Sequence, residues 1–315
     1  MSVRRISKFN GGYEMSDVIV GDSNQVKELF SCGHRGCAGC GEAIAVRHVL
    51  NTAGPNTIAS ICTGCIEVMT TGYPETSWEI PLIHAAFENS AAVASGVEAA
   101  LIAKRKREGK NILALGGDGG TFDIGFQALS GMLERGHDIK YICFDNEAYM
   151  NTGIQRCSST PYGASTTTSP AGTQSIGEDK HKKPIAAICA AHDIPYTATA
   201  TIAYHVDLQK KIKKALSIKG PAFIHIFAPC PTGWRYPSNK TVEISRLAVQ
   251  TGVFVLWELE GSDFNKMKIT KKPANRKPVE EYLKLQGRFK HLMKQPEEIA
   301  KIQKIVDEKC EEYGF

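Results

Sequence analysis

The stretch NILALGGDGGTFDIGFQALSGMLERGHDIKYICFDN, residues 111–146, decides the fold. NILALGGDGG reads as a strand ending in glycines, FDIGFQALSGMLERG as a helix, and IKYICFDN as a second strand. Strand, helix, strand at this spacing is the crossover that joins neighbouring parallel strands. On the N-terminal side, GEAIAVRHVLNTAG (41–54) predicts a helix and TIASIC (57–62) a buried strand. The loop TGCIEVMTTGYPETSWEIP (63–81) then leads to a long helix expected from His84 to Arg107. On the C-terminal side the alternation resumes with helix PIAAICAAHD, strand PYTATA, helix VDLQKKIKKALS, strand AFIHIFAP and helix KTVEISRLAVQTG. The pattern predicts an α/β protein with a doubly wound, mostly parallel sheet. Residues 1–31 read as a polar arm, 32–253 as the α/β domain, and 254–315 as a C-terminal extension suited to a subunit contact.

In an open parallel sheet, ligands bind beyond the carboxyl ends of the strands. The glycine cluster Gly116–Gly120 lies at such an end. Glycines let backbone N–H groups approach a diphosphate, and a following helix N-terminus favours negative charge. Asp118 adds a hard oxygen suited to Mg²⁺, and Asn146, at the end of the next strand, supplies a second. An isolated Asp-Gly is more often a plain turn; the strand–helix–strand around it and the asparagine at the second strand's end favour a Mg²⁺–diphosphate site.

The chain has 315 residues, is 42% hydrophobic and 23% charged, and carries a formal net charge of +5, the balance of an ordinary globular protein. No clustered basic face with interleaved aromatics argues for nucleic acid. The first 17 residues lack the apolar core of a secretory signal, and no run approaches the roughly 20 apolar residues of a membrane helix. A cytoplasmic protein with no membrane contact is therefore expected. Ten cysteines in that compartment point to metal or redox chemistry rather than a disulfide frame.

Cysteine spacing leaves two arrangements open. Cys37, Cys40, Cys62 and Cys65 form C-x2-C-x21-C-x2-C, close to a structural zinc pattern. The other set takes Cys37, Cys40 and Cys65 with the distant Cys230 of FAPCPTGW, four thiolates able to hold a [4Fe–4S] cluster. Cys65 and Cys230 each follow a strand, so both should emerge on the sheet edge that carries the glycine cluster. The loop 149–183, rich in Ser, Thr and Gly, reads as a surface segment or a lid. KHKK (180–183) reads as a solvated basic spot, His34, His84 and His192 as structural histidines, and the terminal KIQKIVDEKCEEYGF as a surface helix.

GDGG followed by a helix and by Asn146 resembles the thiamine-diphosphate fingerprint. Together with GHRGCAGCGEA, TGCIEV, NEAYMNTGIQ and APCPTGW, in this order, it resembles the β subunits of the 2-oxoacid:ferredoxin oxidoreductases, most of all the pyruvate branch. The matches run from about residue 32 to 235, and KPVEEYLKLQGRF near the end also fits. The resemblance implies Asp118, Asn146 and the Ala148 carbonyl as Mg²⁺ ligands, with Gly117, Asp118, Gly119 and Gly120 at the diphosphate. It implies Cys37, Cys40, Cys65 and Cys230 as ligands of one [4Fe–4S] cluster, Glu42 and Cys65 facing the thiamine, and Asn151 beside the substrate as the catalytic residue of this chain. It also implies oxidative decarboxylation of a 2-oxoacid, with coenzyme A as co-substrate and ferredoxin as electron acceptor. An α subunit would supply the thiamine-activating glutamate and the substrate pocket, alongside γ and ferredoxin-like δ subunits. Cys157 and Glu75 depart from the residues expected in the pyruvate branch, which leaves 2-oxoglutarate, branched 2-oxoacids and oxalate as alternatives. A non-redox thiamine enzyme with structural zinc is the competing reading.

Overall fold

Eight strands form one sheet in the computed structural model, which describes residues 28–315. The strands are β1 (Thr57–Cys62), β2 (Leu82–Ala85), β3 (Asn111–Gly117), β4 (Lys140–Asp145), β5 (Tyr196–Thr201), β6 (Ala222–Phe227), β7 (Leu256–Leu259) and β8 (Lys268–Lys271). Their order is β2-β1-β3-β4-β6-β5-β7-β8, with the first six parallel and the last two antiparallel. The helices are α1 (Gly41–Ala53), α2 (Cys65–Thr70), α3 (Ser90–Ala103), α4 (Phe126–Glu134), α5 (Ile185–Ala190), α6 (His205–Ser217), α7 (Pro231–Trp234), α8 (Thr241–Thr251), α9 (Val279–Leu283) and α10 (Pro296–Glu312). Among the described residues, no helix is long and apolar enough to cross a membrane.

The central strands are buried on both faces, which is why they read as near-continuous apolar runs. In β4, Ile142 and Phe144 join one core with Val46, Val49 and Leu50 of α1 and Leu208 and Ile212 of α6. Tyr141 and Cys143 join the opposite core with Ala94 of α3, Leu129 of α4 and Ile185 of α5. A third core gathers Trp234, Ile244, Tyr282, Phe289 and Val306 where α8, α9 and α10 wrap the end of the sheet.

Several local expectations are corrected. The helix expected from His84 instead begins at Ser90 and ends at Ala103, because residues 82–85 pair with β1 as the parallel edge strand β2. β1's backbone groups on that side need partners, and this outweighs the helical preference of the segment. The loop 63–81 holds the short helix α2. Residues 256–271, expected as part of a peripheral extension, supply β7 and β8 to the sheet itself. Of the arm expected over 1–31, residues 1–27 lie outside the described residues; Phe30 is buried edge-on against Trp78.

Lys211 of α6 ties these parts together. It is 1% exposed, and its Nζ donates to Thr199 O of β5 (2.8 Å), Thr270 Oγ1 of β8 (2.7 Å) and Asp207 Oδ2 (2.7 Å). Lys211→Met keeps the stem and removes all three bonds. Unfolding by denaturant should show a loss of about 1–3 kcal/mol, the cost of stranding buried acceptors; an unchanged midpoint would contradict this role.

Candidate active site

The register that aligns Gly117 with Phe144 and Asp145 with Phe227 brings the ends of β3, β4 and β6 to one edge. Asp118 and Asn146, each the first residue past its strand, are both buried there. Asp118 Oδ1 accepts from Gly119 N (2.7 Å), while Oδ2 accepts from Ala148 N (3.0 Å) and Ser159 Oγ (3.1 Å). Burial, together with the nearby charges of Asp145 and Glu42, pushes the Asp118 carboxyl well above its ordinary range. Asn146 Nδ2 donates to Glu42 Oε1 at 2.7 Å, so the start of α1 joins the same point. Burial and the Asp145 charge push Glu42 up to about 8, against the opposing effect of the Asn146 hydrogen bond. Its second oxygen, Oε2, is buried with no hydrogen-bond partner.

The turn after β3 is shaped by close approach. A Cβ on Gly119 would fall 2.1 Å from Tyr149 Cε1, and one on Gly120 would fall 2.8 Å from Cys62 Sγ. A Cβ on Gly117 would meet open space, the side on which a ligand has room. Tyr149 is held over this turn by its hydroxyl, which donates to Asp123 Oδ2 at 2.9 Å. Asn151 lies on the exposed turn after Tyr149 and makes no side-chain hydrogen bond among the described residues.

Cys40 immediately precedes α1, Cys65 opens α2, and Cys230 immediately precedes α7. Cys65 lies within electrostatic reach of both Cys40 and Cys230, and Cys230 within reach of Cys37. Cys62 stands apart from them. Its sulfur sits beneath Gly120, takes the Gly117 N–H, and has Glu42 and Asp118 as its charged neighbours. Burial pushes the thiols of Cys40 up to about 12 and Cys230 up to about 11, and that of Cys65 higher still. N–H groups of Glu42 and Ala43 point at the Cys40 sulfur, and Gly233 N at that of Cys230 (3.3 Å). Two bonds close the loop onto the body: Gly41 N to Pro229 O (3.2 Å) and Thr241 Oγ1 to Gly39 O (2.6 Å). Among the described residues, no three His, Cys, Asp or Glu side chains converge tightly enough to grip a single ion.

Behind this edge runs a buried chain of charges that the sequence reading missed. His225 Nε2 meets Asp145 Oδ2 at 2.6 Å, and Lys182 Nζ meets the same oxygen at 2.5 Å and Glu147 Oε1 at 2.8 Å. Arg288 Nη2 then meets Glu147 Oε2 at 2.6 Å. The Arg288 guanidinium lies 3.6 Å over the ring of Trp234, whose Nε1 donates to Asn146 O at 2.7 Å. Burial alone would raise Asp145, but Lys182 and His225 outweigh it and hold its carboxyl well below the usual range. KHKK is solvated only in its first half: Lys180 and His181 are exposed, whereas Lys182 enters this chain and Lys183 bonds to Phe122 O and pairs with Asp123. The basic run and QGRF were visible in the sequence, but their acidic partners lie far away along the chain.

Comparisons with known proteins identify the family of this chain. Residues 62–226 match the family model of the C-terminal TPP binding domain of thiamine pyrophosphate enzymes. The chain is 60% identical to pyruvate synthase subunit PorB of Methanocaldococcus jannaschii, over 92% of this chain and 97% of that one. It is 54% identical to PorB of Pyrococcus furiosus (89% and 92%) and 50% identical to ketoisovalerate oxidoreductase subunit VorB of the same organism (90% and 92%). A solved 2-oxoglutarate:ferredoxin oxidoreductase from Magnetococcus marinus has the same fold, with a TM-score of 0.55, 21% identity, and 69% and 79% of the two chains covered. The chain belongs to the thiamine pyrophosphate enzymes and, within them, to the β subunits of the 2-oxoacid:ferredoxin oxidoreductases.

The charge chain gives a direct expectation. Arg288→Met removes the guanidinium and leaves Glu147 buried with one cation instead of two, which should cost about 3–5 kcal/mol in denaturant unfolding. Arg288→Lys should recover only part of that, because an ammonium neither stacks on Trp234 nor spans Glu147, Gln286 and Tyr282 together. Full stability in both variants would show that the chain is not under tension from this residue.

Proposed function

We propose that this subunit holds thiamine diphosphate through Mg²⁺ and, beside it, one [4Fe–4S] cluster, and serves the coenzyme A-dependent oxidative decarboxylation of pyruvate. The observation that carries the proposal is the grouping of cysteines. Cys230, after the end of β6, lies within electrostatic reach of Cys37, Cys40 and Cys65, while the Cys62 sulfur packs under Gly120 with Glu42 and Asp118 as its charged neighbours. A zinc ion takes four sulfurs about 2.3 Å away and would need Cys62 within that radius. A cubane carries one thiolate on each of four irons, so its ligands stand apart by the width of the cluster.

The residues fit the implied groups. Asp118, Asn146 and the Ala148 carbonyl are the hard oxygen donors that Mg²⁺ takes. The open side of Gly117 and the N–H groups through Gly120 offer room and donors for a diphosphate. Glu42 Oε2, buried and unpartnered, is left for a polar atom of the cofactor. With its acid pushed up to about 8, Glu42 keeps a proton near neutral pH, so that oxygen can donate as well as accept. A bound cluster would favour thiolates at cysteines that burial otherwise holds as thiols, and the N–H groups aimed at Cys40 and Cys230 would share the added negative charge.

Thiamine diphosphate supplies the nucleophilic carbon and the sink for the electron pair released with CO₂. This chain's residues would do the rest of the positioning on its side of the site. Asn146 holds Glu42 by a hydrogen bond, Asp118 fixes the turn at Ala148 through the Ala148 N–H, and Tyr149 closes over Gly119. Asn151, on the exposed turn beside them, would hydrogen-bond the substrate. An α subunit would complete the site, γ and δ subunits would carry electrons onward, and ferredoxin would accept them. The 60% identity to a PorB subunit favours pyruvate over the branched 2-oxoacids, whose VorB relatives stand at 50%.

Metal and sulfide analysis of the complex purified without oxygen tests this. Cys230→Ala should lose about four irons and four sulfides per β chain relative to the parent, and Cys62→Ala should lose none. A zinc content that falls in Cys62→Ala and not in Cys230→Ala would replace the cluster with a structural zinc and remove the electron-transfer role.

A further inference from the structure

Between α5 and α10, on the far side of the charge chain from Asp118, lies a cavity of about 500 Å³. Ile185, Ala186, Val255, Trp257, Ile302 and Val306 form its walls. Glu147, Lys182, His225 and Lys309 are among its polar lining. Apolar walls with a few convergent polar groups, at a volume of roughly 300–1,000 Å³, are the usual character of small-molecule sites.

Among the lining lysines, one has no contact partner among the described residues. Lys182 and Arg288 are matched by Asp145 and Glu147 in the chain of ion pairs. Burial holds His225 below its ordinary value, against its bond to Asp145, so it adds no cation. The one left over is Lys309, half-buried on the last turn of α10. Its ammonium makes no ion pair or hydrogen bond among the described residues; Lys182 lies within electrostatic reach and repels it, while Glu147 and Glu312 attract it without touching it. Loss of water around the amine, with the Lys182 charge, holds it below the ordinary lysine range. Glu308 and Glu312 also line the cavity; both are exposed, so water screens them, and they would oppose a second negative charge.

We infer that this cavity is a binding site for a small amphipathic monocarboxylate, its carboxylate paired with Lys309 and its hydrocarbon body against the walls of α5, β7 and α10. The site is separate from the place where thiamine is held, and binding there requires no turnover. An apolar body suits the walls, and a single negative charge suits the one lining lysine that has no contact partner among the described residues.

Titration calorimetry on the intact purified complex, with octanoate and octanol as probes, tests the inference. Octanoate should bind saturably and about tenfold or more tighter than octanol, the range of a charge-assisted contact. Lys309→Met should bring the two probes to equal affinity, and Ile305→Trp, at a partly exposed lining position, should block both while leaving the melting temperature near that of the parent. No saturable octanoate binding, equal binding of both probes to the parent, or octanoate binding indifferent to both variants would overturn it. Binding to the separated subunit but not to the complex would overturn it too, because a neighbouring subunit would then be the occupant.

Discussion

Four carboxyl groups, Glu42, Asp118, Asp145 and Glu147, are each 5% exposed or less at one end of one sheet. Taking a carboxylate out of water is costly unless it is paired, so the architecture around this edge is largely a set of answers to that cost. The four are answered in two different ways. Asp145 and Glu147 receive cations from the protein itself, Lys182 and Arg288, with His225 as a further donor. Asp118 and Glu42 receive only hydrogen bonds, three to the first and one to the second. The protein neutralises the acids that hold the turn rigid and leaves Asp118 and Glu42 without a cation; under the proposed function Mg²⁺ would balance Asp118, while Glu42 stays raised enough to keep its proton.

Rigidity of that turn is the purpose of the paired half. Glu147 has φ of +67°, a left-handed conformation that a side chain with a Cβ adopts at a cost of roughly 1–3 kcal/mol. It stays there because it is gripped from several sides. Thr160 Oγ1 donates to its carbonyl, Lys182 and Arg288 hold its carboxylate, and Trp234 holds the carbonyl of the residue before it. Asn146 and Ala148 flank it, so their oxygens are aimed by groups drawn from the loop before α5, from α7 and from the segment before α10. Preorganisation of this kind is what electrostatic catalysis requires of its donors.

Much of this was legible in the sequence, and for identifiable reasons. The stretch 111–146 reads correctly because its strands are buried on both faces and its turn needs glycines, two constraints written locally. The two cysteine pairs were visible as spacing, but whether Cys62 or Cys230 joins the others depends on which way a side chain points from the end of β1. Periodicity over six residues does not carry that. β2 was hidden in a helix because Leu82–Ala85 has no local strand signature; its partner, β1, makes it a strand. β8 was hidden by its polar edge residues, KITK, and β7 by its length of only four residues, LWEL. Lys182 looked like a solvated cation, and Arg288 drew no reading of its own, because the acids that pair with them lie 35 or more positions away along the chain.

The place of Arg288 along the chain has a consequence for biogenesis. Synthesis runs from the N-terminus, so all eight strands and the helices on both faces of the sheet leave the ribosome before this residue does. Until it arrives, Glu147 is buried against Lys182 alone, and the left-handed turn beside Asn146 lacks its strongest clamp. The same late segment carries Val279, Tyr282, Phe289, Ile302 and Val306, which pack with Phe227 of β6 and Leu256 of β7. The clamp on Glu147 and the cover over that end of the sheet therefore arrive together, as the last parts of the chain to be made.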